Sequence, residues 1–188
     1  MENKLIYEFS SHKTDGEASL SNLLGGKGAN LAEMSKLGIE VPPGFTITTE
    51  VCNYFSHNNH LPEGLKEEIV NSVRNLESYS NKNFGEGKSP LLLSVRSGGM
   101  ISMPGMMDSI LNIGVNDENV GYLAEAFSDE RFALDSYRRL LQMYSNVVLG
   151  VDHERFEAVI ANKKRMDDVV SDADFNVDQL NWIINAYK

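Results

Sequence analysis

The sequence has a single cysteine, fewer basic than acidic residues, and no long apolar segment. Because Cys52 stands alone, no disulfide can form within the chain, and we expect a reducing, cytoplasmic environment. No run approaches the roughly 20 apolar residues that cross a bilayer, and residues 1–4 do not lead into the apolar core of a signal peptide. The 17 Lys and Arg against 27 Asp and Glu give a net charge of −10, which disfavours nucleic acids and anionic membranes as partners.

The composition is that of a folded globular chain. Of its 188 residues, 41% are hydrophobic and 23% are charged, which is unlike a disordered or fibrous protein. Residues 1–112 mix short apolar runs with helical periodicity, whereas residues 113–188 show helical periodicity throughout. We therefore predict an α/β fold, with a mixed α/β subdomain over residues 1–112 and a helical subdomain over residues 113–188.

Apolar periodicity places the individual elements. Residues 91–95 form an apolar run of the length of a buried strand, which would end at Arg96. Gly38 follows residues 29–37 in the position that commonly ends a helix. The predicted strands are residues 5–7, 45–48, 91–95 and 110–113, and the predicted helices carry apolar stripes over residues 29–37, 49–55, 62–76, 120–127, 132–148, 156–160 and 180–187.

Three glycines surround Lys27 just before a predicted helix, in the segment Gly25-Gly26-Lys27-Gly28. Glycine backbone exposes its N–H groups, and with an ammonium group beside them the segment suits a phosphate. It is not a Walker A loop, because a glycine follows the lysine where that motif has Ser or Thr. Taken alone, the segment is explained better by a flexible turn with a solvated lysine.

A second Gly-rich segment follows the predicted strand that ends at Arg96. The carboxyl ends of strands in α/β sheets commonly bind ligands, and the planar guanidinium of Arg96 matches phosphate oxygens. Glycines at both ends of the segment allow the chain to turn sharply there, so we expect a loop that covers a phosphate. The residues of this predicted loop are Gly98, Gly99, Ser102, Met103, Pro104 and Gly105.

The other polar and sulfur-containing residues predict no further site. The four histidines lack metal-ligand spacing, and the aspartates between residues 167 and 178 fail the calcium-loop pattern. We expect Cys52 to be a small core residue. Surface ion pairs are expected for Arg131, Arg138 and Arg139, which lie in a helical stretch rich in acidic residues.

Together, these segments resemble the pyruvate, phosphate dikinase family. The segment at 102–108, Ser-Met-Pro-Gly-Met-Met-Asp, resembles this family rather than the related water dikinases such as phosphoenolpyruvate synthase. Two departures are mild: Gly99 stands where the family usually has Ala, and Ser109 where it usually has Thr. The stretches that carry the resemblance are residues 24–34, 41–50, 93–98, 102–108 and 130–139.

The resemblance implies the first two subdomains of an ATP-grasp-type nucleotide-binding domain. Lys27 and Arg96 would then contact ATP phosphates, beneath the loop that runs from Gly98 to Gly105. The family converts ATP, phosphate and pyruvate to AMP, diphosphate and phosphoenolpyruvate through a phosphorylated histidine. The phosphohistidine motif, the carboxylates that bind Mg²⁺ with ATP, and the pyruvate-binding barrel have no counterpart in this chain. No catalytic residue and no metal ligand is therefore assigned to it.

From this resemblance we expect a piece of a cytoplasmic dikinase, whose partners are ATP and the missing carboxyl-terminal domains. Alone, it should be a monomer without dikinase activity and with weak or undetectable ATP affinity. One alternative is a separate, non-catalytic module that binds a nucleotide or a protein. Another is a fragment of a water dikinase, which residues 102–108 disfavour. The DNA downstream of Lys188 distinguishes the first two, because continuation into a phosphohistidine motif would support the dikinase.

Overall fold

The computed structural model describes residues 4–98 and 108–188, which form two compact units. The first unit contains residues 4–81 with residues 97 and 98, and the second contains Lys82–Arg96 and Asp108–Lys188. Helices and small sheets occur together, which confirms the predicted α/β class. The subdomain boundary at residue 112 stays a prediction.

The first unit combines a two-stranded antiparallel sheet with three helices. Ile6 lies opposite Ile47 in the sheet, and Phe9 lies opposite Gly44. The hydrophobic centre is formed by Ile6 from the sheet with Val51 and Leu65 from the helices that follow it. In chain order the elements are β1 (Ile6–Phe9), α1 (Ser21–Lys36), β2 (Gly44–Ile47), α2 (Thr49–Asn58) and α3 (Leu65–Ser80).

The second unit contains two further two-stranded sheets and four helices. The first of these sheets is parallel and the second is antiparallel. The strands are β3 (Asn83–Phe84), β4 (Pro90–Leu91), β5 (Leu93–Arg96) and β6 (Ser109–Ile113). The helices are α4 (Val120–Phe127), α5 (Glu130–Val147), α6 (His153–Asp167) and α7 (Val177–Tyr187).

Helix α5 lies at the centre of the second unit, where it packs against α4, α7 and β6. Three helices of this unit begin with a side-chain cap. The carboxylate of Asp129 accepts from the N–H of Phe132 at 2.8 Å, and Asp152 and Asn176 cap α6 and α7 in the same way. Each cap satisfies a backbone donor that the first turn leaves free, a contribution of about 1 kcal/mol. The largest fully buried apolar side chains of this core are Leu123, Phe175, Leu180 and Ile183.

The predicted apolar strand at residues 91–95 differs from the structure. The segment divides into β4 and β5, and most of β5 is exposed, with Val95 at 54%. The expectation of a buried strand was wrong because, among the residues that the structure describes, β5 belongs to a sheet of only two strands, which leaves much of its surface uncovered. Asn112, with a φ of 62°, accompanies a shift of register between β5 and β6.

The burial of Cys52 and that of Arg138 are each the reverse of what the sequence predicted. Cys52 is exposed on α2 rather than part of the core. Arg138 is buried, with 3% of its surface exposed, and its guanidinium lies 2.8 Å from the carboxylate of Asp135. Arg131 is partly buried and donates to the carbonyl of Phe175 at 2.9 Å. Only Arg139 is the exposed ion-pair partner that was expected.

Among residues 4–98 and 108–188, no helix combines the length and the apolarity that crossing a membrane requires.

The hydroxyl of Tyr187 lies in the same buried region as Arg138. It donates to the carbonyl of Phe156 at 3.4 Å, and the two aromatic rings meet edge to face with their centroids 4.9 Å apart. Burial raises the pKa of Tyr187 to about 12, although a hydrogen bond with Arg138 opposes the increase. This tyrosine therefore remains protonated in the folded state over a range in which an unfolded tyrosine ionises.

This pKa predicts an alkaline decrease in stability. Between about pH 10 and pH 12 the unfolded chain loses the proton of Tyr187 while the folded chain keeps it, so the free energy of unfolding should fall as the pH rises. Tyr187→Phe cannot ionise and should lose less of its free energy of unfolding over the same interval. Urea unfolding of both proteins at about pH 9 and pH 11 measures the difference. Equal losses would show that Tyr187 titrates alike in both states.

Candidate functional site

The Gly-rich segment around Lys27 forms a break within α1. Gly25 has φ 68° and ψ 163°, a backbone conformation that is essentially restricted to glycine. Helical residues lie on both sides of it, so a new helical turn begins at Gly26. The sequence predicted a helix from residue 29; the structure instead has helix upstream of the glycines as well. We call residues 22–28 the phosphate turn, after the ligand that the sequence predicts for them.

The phosphate turn presents Lys27 outward. Gly25 and Gly28 are buried, whereas Lys27 is exposed. Lys27 forms no ion pair with any residue in the described ranges 4–98 and 108–188. The first turn of a helix leaves backbone N–H groups without intrahelical partners, and these carry partial positive charge. An ammonium group beside such a turn is suited to an anion.

Burial of Gly28 brings the phosphate turn against β2. A β-carbon at Gly28 would lie 2.7 Å from Oγ1 and 2.8 Å from Cγ2 of Thr46, which is closer than real contacts allow. Only glycine therefore fits at position 28 while Thr46 keeps its place. Upstream of Gly25, the Thr49 hydroxyl donates to the carbonyl of Asn22 at 2.8 Å.

Arg96 occupies the predicted position at the carboxyl end of a strand. It is the last residue of β5 and lies opposite Ser109 of β6. Its side chain is exposed and makes no ion pair with the part of the chain that the structure describes. The guanidinium is therefore open to solvent.

The predicted phosphate loop is described only at its start. Gly98 is exposed, and a β-carbon there would meet no atom within 4 Å. Lys27 and Gly98 belong to the first unit, whereas Arg96 belongs to the second. Gly99, Ser102, Met103, Pro104 and Gly105 lie outside the described residues, so the roles predicted for them stay predictions.

A buried polar cluster on β1 was missed by the sequence interpretation. The carboxylate of Glu8, of which 8% is exposed, accepts from the side chain of Asn75 at 2.8 Å and lies 3.4 Å from the ammonium of Lys13. Asp15 accepts from the N–H of Glu8 at 3.1 Å and pairs with Lys4 at 2.9 Å. Burial raises the pKa of Asp15, but the hydrogen bonds from Lys4 and Glu8 outweigh it, so the net shift is downward.

Periodicity offered no signal for this cluster, because Glu8 lies between two apolar residues in a strand of only four. Its charges are matched by the two lysines, which indicates a structural role. Among the residues that the structure describes, no three His, Cys, Asp or Glu side chains come together in a group that could hold a metal ion.

Comparison with known proteins gives a consistent set of relatives. Residues 21–83 match the family described as pyruvate phosphate dikinase, AMP/ATP-binding domain. The chain is 50% identical over 186 residues to pyruvate, phosphate dikinase of Rickettsia conorii, covering 98% of this chain and 21% of that protein. Identity is 46% to the Rhizobium meliloti protein of the same name, with the same coverage of both chains. It is 47% to a chloroplastic one from Mesembryanthemum crystallinum, over 98% of this chain and 20% of that protein. The chain thus spans about a fifth of the length of these relatives.

The backbone of the phosphate turn predicts unequal effects of two neighbouring substitutions. Gly25→Ala forces a side chain into a conformation reserved for glycine and should lower the free energy of unfolding by about 1–3 kcal/mol. Gly26→Ala is the matched control, because Gly26 has no positive φ and open space around it. It should leave the free energy of unfolding unchanged or raise it by up to about 1 kcal/mol. Denaturant unfolding measures both, and equal effects would contradict the described turn.

Proposed function

Because this chain is a relative of the pyruvate, phosphate dikinases over nearly its whole length, we propose that it is the amino-terminal ATP-binding part of such an enzyme. The observation that carries the proposal is the 50% identity over 186 residues, which includes the phosphate turn and β2. The match to an AMP/ATP-binding domain over residues 21–83 supports the choice of ligand. We further propose that the mixed α/β units belong to an ATP-grasp fold.

In the complete enzyme, the proposed reaction converts ATP, phosphate and pyruvate to AMP, diphosphate and phosphoenolpyruvate through a phosphorylated histidine. Phosphoryl transfer depends on cations placed along the phosphates, because charge spreads over their oxygens as the transferred group moves. Lys27 and Arg96 supply two such cations. Lys27 is exposed just after the break in α1, and Arg96 is exposed at the end of β5. Neither forms an ion pair among the described residues, so neither has to leave an ion-pair partner there to bind ATP.

The two cations differ in what they contribute. Lys27 is a point charge beside the first backbone N–H groups of a helical turn, and this combination suits a terminal phosphate. Arg96 offers a planar fork that can donate to two oxygens at once. The loop that starts at Gly98 and includes Gly99, Ser102, Met103, Pro104 and Gly105 is proposed to cover the phosphates.

Mg²⁺ bound with ATP would neutralise further phosphate charge, and its protein ligands are proposed to lie in the part of the enzyme beyond this chain. The acceptor histidine and the pyruvate site are proposed to lie there too. The chain alone is therefore proposed to be inactive, and we further propose that it is a cytoplasmic monomer.

A hybrid enzyme tests the roles of Lys27 and Arg96. In it, this chain replaces the aligned region of the Rickettsia conorii dikinase. Lys27→Ala and Arg96→Ala should each slow the ATP half-reaction by roughly ten- to a hundredfold, because each removes a charge-assisted contact worth about 1.5–3 kcal/mol. Arg165→Ala, an exposed arginine of α6, is the control. Unchanged ATP kinetics would contradict the proposed roles of Lys27 and Arg96 at ATP. Unfolding of a variant, detected by circular dichroism, would indicate a structural role instead.

The isolated chain should bind ATP weakly, since two cations alone form part of a site. Titration of the 188-residue chain with Mg·ATP in a calorimeter is expected to give no saturable heat in the micromolar range. A dissociation constant of roughly micromolar order, about −8 kcal/mol, would show that the chain carries a sufficient site by itself.

A further inference from the structure

The phosphate turn is contacted on both sides of Gly25 by one segment of the chain. This segment, residues 46–49, runs from β2 into the first residue of α2. Thr46 contacts the turn downstream of Gly25, and Thr49 contacts it upstream. Thr46 and Thr49, three positions apart, thus contact α1 on the two sides of the break at Gly25.

The downstream contact is steric. A β-carbon at Gly28 would lie within 3 Å of two atoms of Thr46, so the backbone of the turn lies directly on this side chain. Thr46 is held in place by the pairing of β2 with β1, where it lies opposite Tyr7. Because its side chain is β-branched, it has few rotamers with which to move away. The position of β2 therefore sets how closely the turn approaches the sheet.

The upstream contact is a hydrogen bond. The hydroxyl of Thr49 donates to the carbonyl of Asn22 at 2.8 Å, three residues before Gly25. Thr48, next to it, is 2% exposed, and its N–H donates to the carbonyl of Leu5 at 3.0 Å, which fixes this part of the chain against the residue before β1. The residues of the turn upstream of Gly25 are thus attached to the same segment, residues 46–49, as those downstream.

We propose that Thr46 and Thr49 are positioning residues for the phosphate turn, acting through Gly28 and Asn22. Glycine at position 25 lets the backbone bend, and the two threonines fix the direction of the bend and hence the place of Lys27. This inference rests on the proposed role of Lys27 at ATP phosphates. Neither threonine is required to touch ATP, so their effects should appear in ATP binding and not in the use of pyruvate.

A double substitution in the hybrid enzyme tests the steric contact. Gly28→Ala should raise KM for ATP by roughly ten- to a hundredfold by displacing the turn, with KM for pyruvate unchanged. Adding Thr46→Ala removes both atoms that a β-carbon at position 28 would approach within 3 Å, so the double variant should recover most of the loss. Gly121→Ala on α4, where a β-carbon meets nothing within 4 Å, is the control for a helical glycine. If the double variant keeps the raised KM for ATP, the contact between position 28 and Thr46 is not the cause of the increase, and the inference is overturned.

The conservative pair at position 49 tests the hydrogen bond without adding volume to the turn. Thr49→Ser keeps the hydroxyl and should keep the parent KM for ATP, whereas Thr49→Val removes the hydroxyl and should raise it. In the 188-residue chain, the backbone N–H resonances of Gly26 and Lys27 should shift in Thr49→Val and stay in place in Thr49→Ser. Unmoved resonances in both variants would overturn the inference even if Gly28→Ala fails to fold.

The outcomes separate this inference from the proposed function. If Lys27→Ala leaves the ATP half-reaction at the parent rate, the role of Lys27 at ATP is wrong, whatever the threonine variants do. If Lys27→Ala slows the ATP half-reaction while Gly28→Ala and Thr49→Val keep the parent KM for ATP, the ATP role stands and the positioning role is overturned.

Discussion

The backbone conformation at Gly25 is the constraint on which the candidate site depends. At φ 68° and ψ 163° the chain leaves one helical turn and begins another, so backbone N–H groups that an uninterrupted helix would use internally become available beside Lys27. Such a conformation persists only where its surroundings determine it. Here these surroundings are the strand and helix start at residues 46–49, which meet the turn by a steric contact and by a hydrogen bond.

The sequence predicted the order of strands and helices well, because apolar periodicity and helix-ending glycines are local signals. It predicted the Lys27 segment as a turn, but the glycines there look alike in sequence and differ in the fold. Glycine is required at position 25 by the backbone angles and at position 28 by the nearness of Thr46. Neither constraint applies at position 26. Contacts between distant parts of the chain make that distinction, and no local pattern contains them.

Burial was predicted less well than secondary structure. Residues 91–95 have the composition of a buried strand, yet coverage depends on how many strands join the sheet, and β5 has β6 as its partner in a sheet of two. The acidic residues of this helical stretch correctly predicted an ion pair for Arg138, and its partner in the structure is Asp135. The composition did not predict that Arg138 is buried. The turn at residues 172–175 comes from far along the chain, and there the carboxylate of Asp172 lies 3.9 Å from the Arg138 guanidinium. The position of Arg96 at the end of β5 was predicted correctly, because the end of a strand is a local feature of the sequence.

The covered pair of Arg138 and Asp135 bears on how the second unit responds to heat. Removing charges from water is costly at room temperature, but the hydration of charged groups becomes less favourable on warming, so this cost declines. The apolar contribution of the surrounding core, which includes Phe175 and Leu180, levels off over the same range. As the temperature rises, the net cost of burying this ion pair therefore declines, and its contribution to the stability of this unit grows relative to that of the hydrocarbon side chains.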